Sequence, residues 1–168
     1  MDYFETIEKR YSVRGYLDKP VEKEKLEKIL KAGQIAPTGV NKQEFKIFVI
    51  DSKKNKKQLE KIYGVEWFSQ APIVLCVASK PSKCWTRPWD GKQIYDIDAT
   101  IVMDHMILAA TALGLGTCYV GAFRRNAAIK LLNLDDEYEP ILFTPLGYID
   151  AKPRETTRKP LEELVEYI

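Results

Sequence analysis

DIDATIVMDHMILAATALGLGTCYVGAF, residues 96–123, is the stretch on which the reading of the whole chain turns. Its first two-thirds has the composition of one long helix, with Ile97, Ile101, Met103, Ile107, Leu108, Ala110 and Leu113 spread over more than one face. A helix that is apolar most of the way round is covered on several sides, at a core centre or a subunit interface. Asp98, Asp104 and His105 interrupt it, and it is too short and too polar to span a membrane. Gly114 is placed for a left-handed C-cap, and Thr117 to Val120 reads as a short buried strand. Gly121 ends that strand, and its missing side chain would let a flat ligand lie against bare backbone.

Upstream, Asp2 caps a first helix that runs into Arg10-Tyr11-Ser12-Val13-Arg14. If that piece is extended, its period of two puts Arg10, Ser12 and Arg14 on one face and Tyr11 and Val13 on the other. Two guanidiniums and a hydroxyl projecting together suit a phosphate or another anion. Taken alone, the same residues read better as ordinary surface arginines. A second helix carries Leu26, Ile29, Leu30 and Gly33 at helical spacing. Ala36 to Gln43 is a loop rich in turn residues, whose Asn41 and Gln43 amides suit a heterocycle edge and are equally ordinary in a turn.

Phe45 to Ile50 is apolar at nearly every position, which predicts a central strand. Asp51 or Ser52 caps a third helix ending at Gly64, and Ile73 to Ala78 is a second strand. Ser79 to Tyr95 is the least regular segment, with Trp85 and Trp89 in a polar loop. They either border a substrate pocket or plug the loop onto the core, and the two readings weigh equally. Asn126 is placed to cap a short helix. Ile141 to Tyr148 is a further strand, in which Pro145 implies an edge or a bulge. The tail from Ile149 is a polar arm ending in a short helix with Leu161, Leu164 and Val165 as its apolar side. Such an ending suggests packing on something beyond its own domain.

At 168 residues the chain fits a single domain over residues 1–168. A net charge of +2, with no block of basic residues, gives no argument for nucleic acid. Three cysteines outside any metal-ligand spacing read as free thiols of a reducing, cytoplasmic setting, and one histidine leaves little material for a metal site or a triad. The opening MDYFETIEKR is charged from its second residue, unlike a signal peptide. Several helices and about four strands without regular alternation make the fold class α+β. Neither GxGxxG nor GxxxxGK[ST] occurs.

The ordered set R-x-S-x-R, A-P-T-G-x-N-x-Q, L-A-A-x-x-L-G-L-G-T-C-Y-x-G-A-F, P-L-G-Y and R-K-P-L-E-E resembles the FMN-dependent nitroreductase family, in its small single-domain form. Each motif is weak alone; the joint order, across almost the whole chain, is specific. The resemblance implies a central, mostly antiparallel sheet flanked by helices in an intertwined homodimer. Residues 149–168 would be an arm packing on the partner subunit, and two FMN sites would lie between the subunits. Arg10, Tyr11, Ser12 and Arg14 match positions that hold the phosphate, ribityl chain and pyrimidine edge. Pro37, Thr38, Gly39, Asn41 and Gln43 match the loop that reaches the same flavin from the other subunit. Val120, Gly121 and Ala122 sit where backbone nears the flavin N5, and Arg158 and Lys159 match C-terminal phosphate contacts.

The implied activity is an NAD(P)H-dependent oxidoreductase passing hydride through FMN N5, by a ping-pong scheme, to a small-molecule acceptor such as a nitroaromatic or quinone. No side chain is a persuasive general acid, and the flavin carries the chemistry. Trp85 and Trp89 are the candidates for the substrate pocket. A non-enzymatic flavin-binding or sensing protein is one alternative. Another is a flavin enzyme of the same fold with other chemistry, such as reductive dehalogenation or flavin breakdown. Two departures bear on substrate preference: Glu44-Phe45 follows Gln43 where many members have Pro and an aromatic, and Arg124-Arg125 follows the G-A-F.

Overall fold

The β-branched and aromatic runs noted above become strands β1 (Phe45–Asp51) and β2 (Ile73–Ser79), paired antiparallel from Phe45↔Ser79 to Asp51↔Ile73. The computed structural model describes residues 1–168. Strand β3 (Gly116–Thr117) and strand β4 (Glu139–Gly147) complete an antiparallel sheet of order β1-β2-β4-β3. The fold is thus α+β, as the order of elements predicts, with the antiparallel sheet that the resemblance implies.

Two strand placements differ from the sequence reading. Phe45 to Ile50 lies at an edge, not at the centre. Its near-continuous apolar character has another origin: Phe45 and Ile47 pack into the core on one face of the sheet, Phe48 and Ile50 into the core on the other. A strand covered on both faces reads as a continuous apolar run wherever it lies. Pro145 sits in an interior strand, opposite Val74. Phe143 N–H bonds Val120 O, so the N positions of alternate residues, Pro145 included, face the β3 side. There the ladder lapses after Thr117, and the Cys118 N–H goes to Thr144 Oγ1 at 3.0 Å instead. The missing donor of Pro145 therefore keeps β3 short.

The long helix α5 (Tyr95–Ala112) lies on one face of the sheet and buries Ala99, Val102, Met103, Met106, Ile107 and Ala110. It ends in a Schellman motif: Leu115 N–H bonds Ala110 O at 2.9 Å, Gly114 N–H bonds Thr111 O at 3.0 Å, and Gly114 has φ +75°. Helix α2 (Lys23–Gln34) packs on α5 through Gly33, where a Cβ would stand 2.9 Å from both Ile47 Cδ1 and Met106 Cγ. Ile97 stays 42% exposed and Ile101 and Leu108 stay half-buried, so an apolar strip of α5 is left uncovered by its own chain.

On the other face lie α3 (Ser52–Ile62), α4 (Glu66–Gln70) and α6 (Arg125–Leu132). Asp51 caps α3, its Oδ1 accepting the Lys54 N–H at 3.1 Å. Helix α4 was not foreseen. The N-cap position of α6 is Arg124, without a side-chain cap, and not Asn126. The tail is exposed almost throughout and forms only a single 3₁₀ turn, Leu161–Glu163, in place of the expected helix. No helix is long and apolar enough to cross a membrane.

Candidate functional site

Helix α1 (Tyr3–Lys9), capped by Asp2 Oδ1 on the Glu5 N–H at 2.9 Å, gives way at Arg10 to an extended segment. That segment is stitched to the sheet: Val13 N–H bonds Thr117 O at 2.9 Å, and Asp150 N–H bonds Gly15 O at 2.9 Å. Val13 and Tyr16 are buried, and the Tyr16 hydroxyl donates to Val13 O at 2.9 Å. With the apolar side chains turned inward, the period of two turns Arg10, Ser12 and Arg14 into a polar cleft of about 300 Å³. Tyr11, whose hydroxyl donates to Ala151 O at 2.8 Å, also lines it, as do Arg154 and Arg158 from the tail.

Four guanidiniums meet there with Glu155 as the only carboxylate in the lining, and none of the four is in an ion pair. The Arg14 guanidinium carbon lies over the Trp67 ring, 5.8 Å from its centre. Arg154 was missed in the sequence. Its spacing of four from Arg158 on an extended arm, which returns side chains to one face, was the available signal. Lys159, by contrast, does not line the cleft and faces Glu163 at 3.5 Å.

Beside the cleft, burial pushes the Cys118 thiol pKa up, while Arg14, a hydrogen bond with Ser12, and Arg10 oppose the shift. Val120 is pinned by reciprocal bonds to Phe143 at 2.9 and 3.0 Å. Gly121 and Ala122 then emerge exposed, and a Cβ built on Gly121 would meet no atom within 4 Å. Nothing within this chain requires the glycine, and the space in front of it is open.

The second candidate segment, Pro37 to Gln43, is held differently. Buried Asp98, in the first turn of α5, accepts the Gly39 N–H at 2.9 Å, and burial holds its carboxyl pKa above the usual value. Gln43 N–H bonds Thr38 Oγ1 at 3.1 Å, and Gln43 Nε2 bonds Asn41 O at 3.2 Å. Val40 (φ +44°), Asn41 (φ +59°) and Gln43 (φ +55°) all lie in the left-handed region. Asn tolerates that region, but a β-branched valine is strained there, and such strain collects at functional segments. Trp85 packs against this loop: a Cβ on Gly39 would come within 2.9 Å of Trp85 Cβ. Trp89 is 86% exposed and is not a core plug.

The two segments lie at opposite ends of α5. Arg10 and Tyr11 share a hollow with Thr111 and Gly114 at its last turn, whereas Gly39 is tied to its first turn through Asp98. At 1.5 Å per residue, Asp98 and Thr111 are roughly 20 Å apart. The structure thus joins Arg10, Tyr11, Ser12, Arg14 and Arg158, sets Cys118 and Tyr119 beside them, and leaves Thr38, Gly39, Asn41 and Gln43 distant within one chain.

Comparison with known proteins shows the family and its fold. A crystal structure of a nitroreductase family protein from Clostridium difficile superposes with a TM-score of 0.91 at 42% identity, over 99% of this chain and 98% of that one. A nitroreductase family protein from Clostridium novyi NT gives 0.83 at 30% identity, over 97% and 91%. A Bacillus subtilis protein named FMN reductase [NAD(P)H] is 30% identical over 90% of this chain and 67% of its own. The family model described as nitroreductase family matches residues 7–67 and 62–148. This chain belongs to the nitroreductase family.

Proposed function

We propose that the protein is an FMN-dependent oxidoreductase that takes electrons from NAD(P)H and reduces a small-molecule acceptor of the nitroaromatic or quinone type. It works as a homodimer with two flavin sites, each shared between chains. The observation that carries this reading is the separation of the two half-sites at opposite ends of α5. A ligand edge held by Arg14 is out of reach of Asn41 of the same chain, which supports a second copy supplying the loop. The uncovered strip at Ile97, Ile101 and Leu108 and the exposed Leu161, Leu164 and Tyr167 of the arm are surfaces that such a dimer would bury.

The residues present fit FMN. Four unpaired guanidiniums suit a terminal phosphate, since guanidinium donors match its oxygens in pairs. Arg10 and Arg158 would grip the phosphate, Ser12 the polar chain, and Arg14 the pyrimidine edge. The open space at Gly121 leaves room for a flat ring against the backbone of Gly121 and Ala122. Once bound, FMN would supply the hydride transfer, and the protein would position it and tune its charge. Cationic Arg14 favours an electron-rich ring beside it. Protons would come from water, because no carboxyl or imidazole lines the cleft apart from Glu155. Three free cysteines suit a reducing, cytoplasmic setting.

The test is the absorption spectrum of purified protein with the released cofactor identified. A yellow protein releasing FMN, which oxidises NADH or NADPH when given a quinone or nitroaromatic, is expected. A colourless protein that refuses micromolar FMN would overturn the reading.

A further inference from the structure

Arg124 and Arg125, which follow the G-A-F, line no part of the arginine cleft. Arg125 is neutralised by the Glu139 carboxylate, both of whose oxygens accept from its Nε. Arg124 instead closes the end of α3: its backbone N–H bonds Ile62 O at 2.9 Å, and its Nη1 donates to Lys61 O at 3.4 Å. Beyond that junction α3 and α6 flank a groove of about 470 Å³. Asn55, Gln58 and Lys61 line it from α3, and Ala127, Lys130 and Leu131 from α6.

The lining contains no carboxylate. Lys61, Lys130 and Arg124 are exposed and in no ion pair, although neighbouring Lys53 and Lys54 are paired with Asp18 and Asp51. Asn55 Nδ2 donates to Asp51 O at 2.9 Å, which leaves its Oδ1 as an unused acceptor, and Gln58 adds an exposed amide. Ammonium groups suit phosphate oxygens, amides suit the edge of a heterocycle, and Ala127 and Leu131 offer its face an apolar surface. A solvated lysine face would not need all three in one hollow. Together they match a phosphorylated nucleoside.

Two tethers set this groove against the proposed flavin site. Gly121 precedes Arg124 by at most about 10 Å of backbone, and Phe123 between them is anchored on Phe143, ring centroids 4.9 Å apart. From the other side, Arg14 lies over Trp67, which packs edge-on against Tyr63 directly after α3, ring centroids 5.7 Å apart. The groove then runs along α3 from Lys61 back to Asn55, about 9 Å at 1.5 Å per residue. A dinucleotide with its nicotinamide near Gly121 would pass Arg124 and lay its adenosine end between the two helices.

Resting on the flavin-enzyme reading above, we propose that Lys61 and Lys130 grip the adenosine 2′-phosphate of the electron donor and so select NADPH over NADH. Asn55 and Gln58 would meet the adenine edge, and Arg124 the pyrophosphate.

The test uses the wild-type holoprotein, Lys61→Gln/Lys130→Gln and the charge-keeping Lys61→Arg/Lys130→Arg. Flavin reduction by NADPH and by NADH is followed in stopped flow, and binding of 2′,5′-ADP and 5′-AMP by calorimetry. Wild type should favour NADPH, bind 2′,5′-ADP more tightly than 5′-AMP, and lose both preferences as salt is raised. The glutamine variant should lose roughly three- to thirtyfold on NADPH and 2′,5′-ADP, the range of two exposed charge pairs. Its NADH kinetics, flavin content and melting temperature should match wild type, and the arginine variant should keep the preference.

Equal use of NADH and NADPH by wild type, or a glutamine variant that weakens both donors alike, overturns the proposal. So does 2′,5′-ADP that binds without competing with NADPH, since the groove would then serve a free nucleotide. A protein that holds no flavin but binds 2′,5′-ADP through these lysines would instead break the enzyme reading and leave the phosphate grip standing.

Discussion

The two ends of α5 solve the same problem in opposite ways. At the C-terminal end, extended backbone in a relaxed conformation presents four arginines without carboxylate partners, a site whose strain is purely electrostatic. At the N-terminal end there is little net charge, and the strain is in the backbone, with Val40, Asn41 and Gln43 all at positive φ and one buried carboxylate holding the loop. Unpaired like charges call for an anion. Strained amide-bearing backbone calls for a ligand edge, and neither half is complete alone. The difference fits the proposal that the two segments are half-sites, each shaped for a different part of one molecule.

The comparison breaks most readily at the arginine end. Arg14→Ala should cost about 1.5–3 kcal/mol of FMN binding, roughly ten- to a hundredfold in affinity, for loss of a charge-assisted contact. Fluorescence titration of the stripped protein checks this, and stability should hardly change because Arg14 is exposed. At the other end the effect should fall on folding first. Asp98→Ala leaves the Gly39 N–H without its acceptor, at a cost of about 1–3 kcal/mol in chemical denaturation. Were Asp98→Ala to bind FMN normally and melt normally, the loop would not depend on α5.

Smaller effects sharpen the contrast. Val40 is 70% exposed at φ +44°, so Val40→Gly removes strain and little packing. Relief of about 1–2 kcal/mol, less about 0.5–1 kcal/mol of added unfolded-chain entropy, leaves a net gain of up to about 1.5 kcal/mol. Thermal melting should rise while FMN affinity falls, because the loop is no longer held ready. Loss of stability would show that the valine is not strained. The smallest effect concerns pH. Burial raises the Asp98 pKa, so the folded protein holds that proton more tightly than the unfolded chain. The stability from this group is therefore full below the ordinary carboxylate pKa and declines as pH rises through the raised value. Asp98→Asn, which can still accept from Gly39, should flatten that slope in denaturation curves across the acid range.

Much of this was legible in the residues. The alternation Arg10, Ser12, Arg14 against Val13 needed only the period of a strand, and Gly114 as C-cap followed from helix chemistry. What escaped depended on long-range placement. Phe45 to Ile50 looked central because apolar faces on both sides read alike at an edge and in the middle. Pro145 looked peripheral because a missing N–H is harmless where its neighbour is a strand of only two residues. Arg154 joined the cleft through a tail whose path no local pattern encodes. The placement of the two segments at opposite ends of α5 is encoded in no local pattern either; only the family resemblance implied that they serve different subunits.

The proposed sharing of each flavin site between two chains is most directly tested by complementation. Arg14→Ala and Asn41→Ala chains, co-expressed with distinct tags and purified as heterodimers, would contain one site carrying both substitutions and one carrying neither. Flavin content and NAD(P)H oxidation near half of wild type, with both mutant homodimers nearly empty, are the expected result. Heterodimers as empty as the homodimers, or an active monomer in sedimentation, would contradict the shared site.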